Sequence, residues 1–410
     1  MTSRSPPKVA IFPWGDVVEE FLDPIGLDLE DFAQRMTGGW LFGYVAALRS
    51  LGWDAVIVCA SEHVTGPRRL THDGTGVAIW AVPGRRSIAR RDSIKSARQI
   101  LLTPWRAFGR ILRAEGCSFV LVQEYEYARF DALALLARLL GLPVFATFQG
   151  GDVTLSTLEA RIRPWSLRLA QGLIVPSARE RDRLARTYKA SNLRIEDIPN
   201  PIDAEEWRAS SRSACRSELA LPEQALVVVN HGRIDLYRKG LDVLLAAWSA
   251  FSDKHPTALL VILGSGPDQV AFGEAIDRST AKGIIWENAY STDRPRLRRW
   301  LSAADIYVTT SRVEGMPVAP LEAMACGLPV VASRAHGLPD IFRDGEASGG
   351  ILVDCEDTAG VARALSRLAD APGLRAELGR AARACIETRF AIPVIAGALS
   401  RLMIESRSGT

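Results

Sequence analysis

Residues 309–333 read TTSRVEGMPVAPLEAMACGLPVVAS. An apolar strand ends at Thr309–Thr310, a loop carries Glu314, and a helical pattern starts near Pro317–Ala319. Proline in a first helical turn costs nothing, because its missing N–H would have had no partner within the helix. Gly327 and then Pro329 close that helix, and Pro329–Ser333 makes the next strand. A strand–loop–helix–strand unit of this kind belongs to a parallel sheet, with the helix start facing the carboxyl edge and free amides at Val318 and Ala319. Orphan N–H groups and the helix dipole make such a start a site for a diphosphate. Met316 and Pro317 lead into it, although Pro317 has no N–H to donate. Glu322, one turn in, is placed to accept from the vicinal hydroxyls of a ribose. Glu314 is placed to do the same for a sugar, since a carboxylate accepts two donors in one plane.

The same rhythm of short apolar runs and longer amphipathic segments fills the chain. In the first half, Val9–Phe12, Ala55–Cys59, Phe119–Gln123, Val144–Phe148 and Gly172–Pro176 read as buried strands, with helices such as Trp40–Leu51 and Phe130–Leu140 between them. In the second half, Leu226–Asn230, Ala258–Leu263, Ile284–Trp286, Ile306–Thr309 and Val330–Ala332 alternate with helices at Leu241–Ser252, Pro267–Ala281, Arg294–Ala303 and Ala319–Ala325. Alternating βα units predict an α/β fold of two Rossmann-like, doubly wound parallel-sheet domains. The join falls at Ile198–Pro201 (IPNP), whose prolines favour an extended segment. The expected domains are 1–200 and 201–388, with a C-terminal helix in 389–410 packing back on the first.

Upstream of the opening stretch, His231–Gly240 (HGRIDLYRKG) follows the first strand of the second half. It brings two cations, Arg233 and Lys239, to the same carboxyl edge. Their natural work there is to neutralise a diphosphate, more so as it departs with developing charge. Gly264-Ser265-Gly266 allows close backbone approach to a ligand. No third glycine follows at the spacing of a dinucleotide fingerprint, which argues against an NAD-linked dehydrogenase. Glu287–Tyr290, with Asn288 and Tyr290, lies where a nucleobase would sit, and nothing in it selects one base.

Taken in order, these elements resemble the retaining glycosyltransferase family 4, whose members have the GT-B fold of two such domains facing across a cleft. Glu314 and Glu322 occupy the two acidic positions of its E-x7-E signature, and Arg233 and Lys239 its basic pair. Pro199-Asn200-Pro201-Ile202-Asp203 matches the family's P-N-x-[VI]-D link, and His336-Gly337-Leu338-Pro339-Asp340 resembles its G-G-[IL]-P-E loop. Many relatives carry E-G-F-G where this chain has Glu314-Gly315-Met316-Pro317. Thr37-Gly38-Gly39 resembles the Gly-rich loop that meets the donor phosphates from the other side of the cleft. Thr147–Asp152 (TFQGGD) aligns with T-x-H-G-x-D, with Gln149 in place of the histidine. Glutamine orients a hydroxyl but does not titrate near neutral pH.

The resemblance implies transfer of a sugar, with retained configuration, from a nucleotide-diphosphate sugar to a hydroxyl of a glycan, lipid-linked or small-molecule acceptor. Arg233, Lys239 and Glu314 are then the catalytic residues. The donor contacts are Gly38, Gly39, Gly264, Gly266, Asn288, Tyr290, Met316, Pro317, Val318, Ala319 and Glu322. Gln149, Asp152, His336 and Gly337 serve the acceptor. No cofactor and no metal is expected, the two cations standing in for one. The alternatives are a non-catalytic sugar-nucleotide-binding protein, and a transferase or phosphorylase directed at a sugar phosphate.

Composition narrows the class further. A net charge of +3 on 410 residues is too mild for a nucleic-acid protein. The six cysteines are scattered, without C-x-x-C or histidines at metal spacing, and read as reduced thiols. Neither a signal peptide nor a run long enough to span a bilayer is evident, so a cytoplasmic location is expected. Between Asp16 and Asp31 lie seven acidic residues and no basic one, in what reads as a long acceptor-shaping loop. From Arg85 to Arg113 there are nine Lys/Arg and one acid, interleaved with Ile94, Ile100, Leu101, Trp105, Phe108 and Ile111. Such a segment suits peripheral contact with an anionic membrane at its inner face.

Overall fold

A computed structural model describes residues 6–36, 39–85, 99–150, 156–188, 193–289 and 292–408. The chain forms two compact units. One comprises Met1–Pro201 together with Ile392–Thr410, the other Ile202–Ala391.

The strands of the first unit are β1 (Lys8–Phe12), β2 (Asp54–Ser61), β3 (Arg68–Thr71), β4 (Ala78–Pro83), β5 (Phe119–Val122), β6 (Val144–Thr147), β7 (Gly172–Val175) and β8 (Ile195–Asp197). They lie in the order β3-β4-β2-β1-β5-β6-β7-β8. Every neighbouring pair is parallel except β3 with β4. The central strands FVLV, VFAT and GLIV are buried throughout, as a sheet covered on both faces requires. One face packs against helices Leu29–Gln34 and Gly39–Ser50 and against the final helix Ile392–Ser408, through Phe32, Leu41, Leu48, Ile395, Leu399 and Met403. The other face carries helices Trp105–Ala114, Ala128–Leu139 and Thr157–Leu169, through Phe108, Leu112, Phe130, Leu133 and Leu167.

The second unit holds β9 (Val227–His231), β10 (Leu259–Leu263), β11 (Ile284–Glu287), β12 (Ile306–Thr309), β13 (Val330–Ser333) and β14 (Gly350–Val353). Their order is β11-β10-β9-β12-β13-β14, and every pair is parallel. The winding reverses between β9 and β12. In open α/β sheets that reversal opens a crevice beyond the carboxyl ends of the strands, where ligands bind.

This is the α/β architecture expected from the sequence, with departures at the margins. The pair β3–β4 and the strands β8 and β14 carry no clear pattern. Three of the four residues of β3, RRLT, are polar, and it lies at a sheet edge where one side needs no apolar cover. The acidic segment 16–31 is not a loop, because its residues form Val18–Leu22, Asp23–Ile25 and Leu29–Gln34, the last begun by a reciprocal Asp28–Asp31 capping box. Glu19 is buried there, and its carboxylate accepts from Ser61 Oγ at 2.6 Å and Glu62 N at 2.7 Å. All six cysteines are free thiols; five are buried, and burial pushes those of Cys59, Cys117 and Cys326 up to about 12. Among the described residues no helix is long and apolar enough to cross a membrane.

Candidate active site

At the β9/β12 reversal, His231 ends β9 and Thr309 ends β12. The turn after β9 runs through Gly232 to a short helix, Leu236–Lys239, capped by Asp235, whose Oδ1 accepts from Arg238 N at 3.0 Å. Gly240 closes that helix at φ +58°, and a Cβ on it would lie 2.1 Å from the carbonyl oxygen of Thr310. Only glycine permits so close an approach. The Thr310 hydroxyl in turn donates to the Gly240 carbonyl at 2.8 Å. The two strand-end loops are therefore fastened to each other, which fixes what each presents.

The central contact is an ion pair between them. Lys239 Nζ lies 2.6 Å from Glu314 Oε1, which also accepts from the Ser311 hydroxyl at 2.6 Å. Glu314 is 9% exposed and Ser311 fully buried, so the carboxylate is oriented from within the fold. A second pair lies alongside. His231 Nε2 is 2.8 Å from Glu322 Oε2, one turn into the helix Val318–Ala325, and Tyr307 donates to the His231 carbonyl at 3.3 Å. Burial pushes the Tyr307 phenol well above its ordinary value, so it stays a donor. The other ring nitrogen of His231, Nδ1, is buried without a partner among the described residues.

The helix that follows Glu314 starts at Val318, with Pro317 as N-cap and, among the described residues, no side-chain cap hydrogen bond. Its entry is held by the loop after β13: Gly337, at φ +84°, leaves room for the Gly315 carbonyl, which a Cβ would meet at 1.7 Å. His336 and Gly337 therefore adjoin the Gly315–Met316 turn within the second unit. Gly264 and Gly266 make close approaches within the protein. A Cβ on Gly264 would stand 1.9 Å from the Gly232 carbonyl oxygen, and one on Gly266 2.2 Å from that of Ile234. These glycines let two loops of the protein touch, and Ile234 N donates to the Ser265 carbonyl at 3.0 Å. Asn288 is exposed beside a cleft of about 420 Å³ that Leu263, Glu287, Arg296 and Trp300 also line.

Residues 225–371 match the family described as Glycosyl transferases group 1, and residues 42–201 match a Glycosyl transferase 4-like domain. The chain belongs to the family-4-like glycosyltransferases. A D-inositol 3-phosphate glycosyltransferase of Saccharomonospora viridis is 35% identical over 222 residues, 52% of this chain and 51% of that protein. The chain thus spans about half the length of the curated relatives it matches. Sucrose-phosphate synthase from Thermosynechococcus elongatus has the same fold, at TM-score 0.75 and 19% identity over 98% of this chain and all of that one. So does an Anabaena protein solved in complex with UDP-glucose, at TM-score 0.71 and 14% identity over 97% and 99% of the two chains. The fold is GT-B.

Within this glycosyltransferase fold, the positions chosen from sequence are placed in different ways. Lys239 meets Glu314 directly, and Met316, Pro317, Val318, Ala319 and Glu322 continue from it along one loop and helix. Arg233, about one-third exposed, has Asp235 as its nearest acid, at 3.7 Å. Gln149 lies in the first unit with its amide already engaged: Nε2 donates to Thr147 Oγ1 at 3.0 Å and to Asn200 Oδ1 at 3.2 Å, and Asn200 Nδ2 donates back at 3.1 Å. Gly39 begins the helix Gly39–Ser50, whereas Thr37, Gly38, Asp152 and Tyr290 lie outside the described residues. Sequence reading passed over His231, Ser311 and Trp300. The first two stand at or just past strand ends, a place where α/β folds concentrate ligand contacts. Trp300 carries a buried indole N–H without a partner among the described residues.

Proposed function

We propose that the chain transfers a sugar, with retention of configuration, from a nucleotide-diphosphate sugar to a hydroxyl of a glycan, lipid-linked or small-molecule acceptor. The observation that carries this reading is the Lys239–Glu314 pair, 2.6 Å apart, at the mouth of an uncapped helix beside the β9/β12 reversal. Open amides and a cation suit a diphosphate, and the neighbouring carboxylate suits sugar hydroxyls. On this reading the acceptor hydroxyl attacks the anomeric carbon from the face the diphosphate leaves, and a departing phosphate oxygen takes its proton. Lys239 and Arg233 stabilise the charge that builds on the leaving group, in the role a metal would otherwise fill. Glu322 grips the ribose, for which it exchanges its bond to His231.

Support for a UDP donor comes from the UDP-glucose complex of the Anabaena neighbour. A phosphorylated polyol acceptor is the second reading, favoured by the name of the curated relatives, D-inositol 3-phosphate glycosyltransferase. A thermal-shift panel of UDP, GDP and ADP with their sugars tests the donor. One nucleotide should raise the melting temperature, as a ligand of the native state must, and the product's anomeric configuration by NMR should match the donor's. No shift with any nucleotide, or an inverted product, removes this reading.

A further inference from the structure

One face of the first unit departs from an ordinary soluble surface. Helices Trp105–Ala114, Ala128–Leu139 and Thr157–Leu169 cover the same side of the sheet, each burying its inner side chains in one core. They lie side by side: Gly109 faces Leu136 across the first pair, and Arg163 is bonded to Asp131 across the second. Their outer surface carries apolar side chains turned to solvent. Leu139 and Trp165 are each 71% exposed, Leu135 is 44% exposed, and Leu101, just before the first of these helices, is 79% exposed.

Every charge exposed on these helices has one sign. Arg106, Arg110 and Arg113 project from the first, Arg138 from the second, Arg161 and Arg168 from the third. The acids of the three helices, Asp131 and Glu159, are buried and turned inward to Arg163. The six arginines make no ion pair among the described residues, and Arg168 lies over the Trp165 ring at 5.6 Å. Arginine mixed with exposed leucine and an indole is the composition of a bilayer interface, where apolar tips enter the headgroup boundary and cations meet anionic lipid. A nucleic-acid surface has no use for exposed leucines, and the chain as a whole is only weakly basic.

We propose that this three-helix face docks on a bilayer rich in anionic phospholipid. Its first helix belongs to the described part, 99–113, of the basic segment noted in the sequence; residues 86–98 lie outside the described residues. The surface is independent of the transfer chemistry, so its test does not involve a sugar nucleotide. Sedimentation of the full chain with phosphatidylglycerol-containing vesicles, against pure phosphatidylcholine, reads the partition. Binding is expected on the anionic vesicles only, and it should collapse in high salt. The double variants Arg138→Glu/Arg168→Glu and Leu139→Ser/Trp165→Ser should each lower it at least about tenfold, since each arginine at such a surface is worth roughly fivefold. Both should keep the wild-type melting temperature. Brominated lipid should quench part of the tryptophan fluorescence of the wild type, and Trp165→Phe should lose that part, which keeps the test decisive should the double variants misfold. Equal partition onto both vesicle types, no binding to either, binding unmoved by the variants, or capture of nucleic acid without vesicles overturns the proposal.

Discussion

Lys239 spans the space between two strand-end loops, and its neighbours leave it little freedom. The carboxylate it meets is buried and shared with a serine hydroxyl, so removing the ammonium leaves Glu314 without its cation. Lys239→Ala is expected to abolish nucleotide-induced stabilisation and to lower turnover by about 10²–10³-fold, the usual cost of deleting a group that stabilises developing charge. Circular dichroism should remain that of the wild type. Gly264→Ala tests a different requirement. With φ at +145° and the Gly232 carbonyl where its Cβ would go, the variant should lose more than about 2 kcal/mol of stability in urea unfolding. Lys239 and Glu314 were legible in the sequence because each sits in a loop bounded by clear strand and helix signals. The His231–Glu322 bond and the Gln149–Asn200 amide exchange were not. Each joins side chains far apart in sequence, and no local period encodes such a meeting.

Helices are tied to each other below the surface as well as through apolar contact. Arg163 is fully buried in helix Thr157–Leu169 and reaches across to Asp131 of helix Ala128–Leu139, with Nε–Oδ1 at 2.9 Å and Nη2–Oδ2 at 3.0 Å. It also donates to the Tyr125 carbonyl and to Glu126 at 3.3 Å. Arg163→Ala would leave the buried Asp131 without its cation, and the expected loss is about 3–5 kcal/mol, measured by denaturant unfolding. Arg163→Lys should recover little of it, because a point charge does not reproduce a bidentate fork. At this scale the sequence told most about strands that are apolar throughout, such as β5 and β10. It told least about β3, whose polar residues suit an edge and resemble a turn. The acidic segment 16–31 misled for a related reason. Acidic composition suggested a loop, but Glu19 is turned inward onto Ser61, and a capping box commits two further carboxylates to amides.

For the molecule as a whole, acid should weaken the first unit through the corner where Lys8, Trp80 and Glu115 meet. Burial pushes Glu115 up, yet the Trp80 indole at 2.7 Å, Lys8 at 3.2 Å and Arg69 outweigh it and hold the carboxyl below its ordinary 4.5. A carboxyl depressed on folding stabilises above its unfolded value, and that contribution is lost as pH falls through the folded one. The melting temperature should therefore decline as pH drops below about 4.5, and Glu115→Gln should flatten part of that decline. Deleting Ile392–Thr410 is a harsher test. It strips Ile395, Leu399, Leu402 and Met403 from the core of the first unit, each worth about 1.5–3 kcal/mol of burial. The truncated chain should retain a cooperative transition from Ile202–Ala391 and lose the other.

That returning helix also sets a timetable. The first unit owes part of its core to residues translated after the whole of Ile202–Ala391, which is itself continuous in sequence. Although it leaves the ribosome before its successor, the sheet of the first unit must wait, incompletely covered, while that successor folds, and the two are finished in the reverse of the order in which they are made.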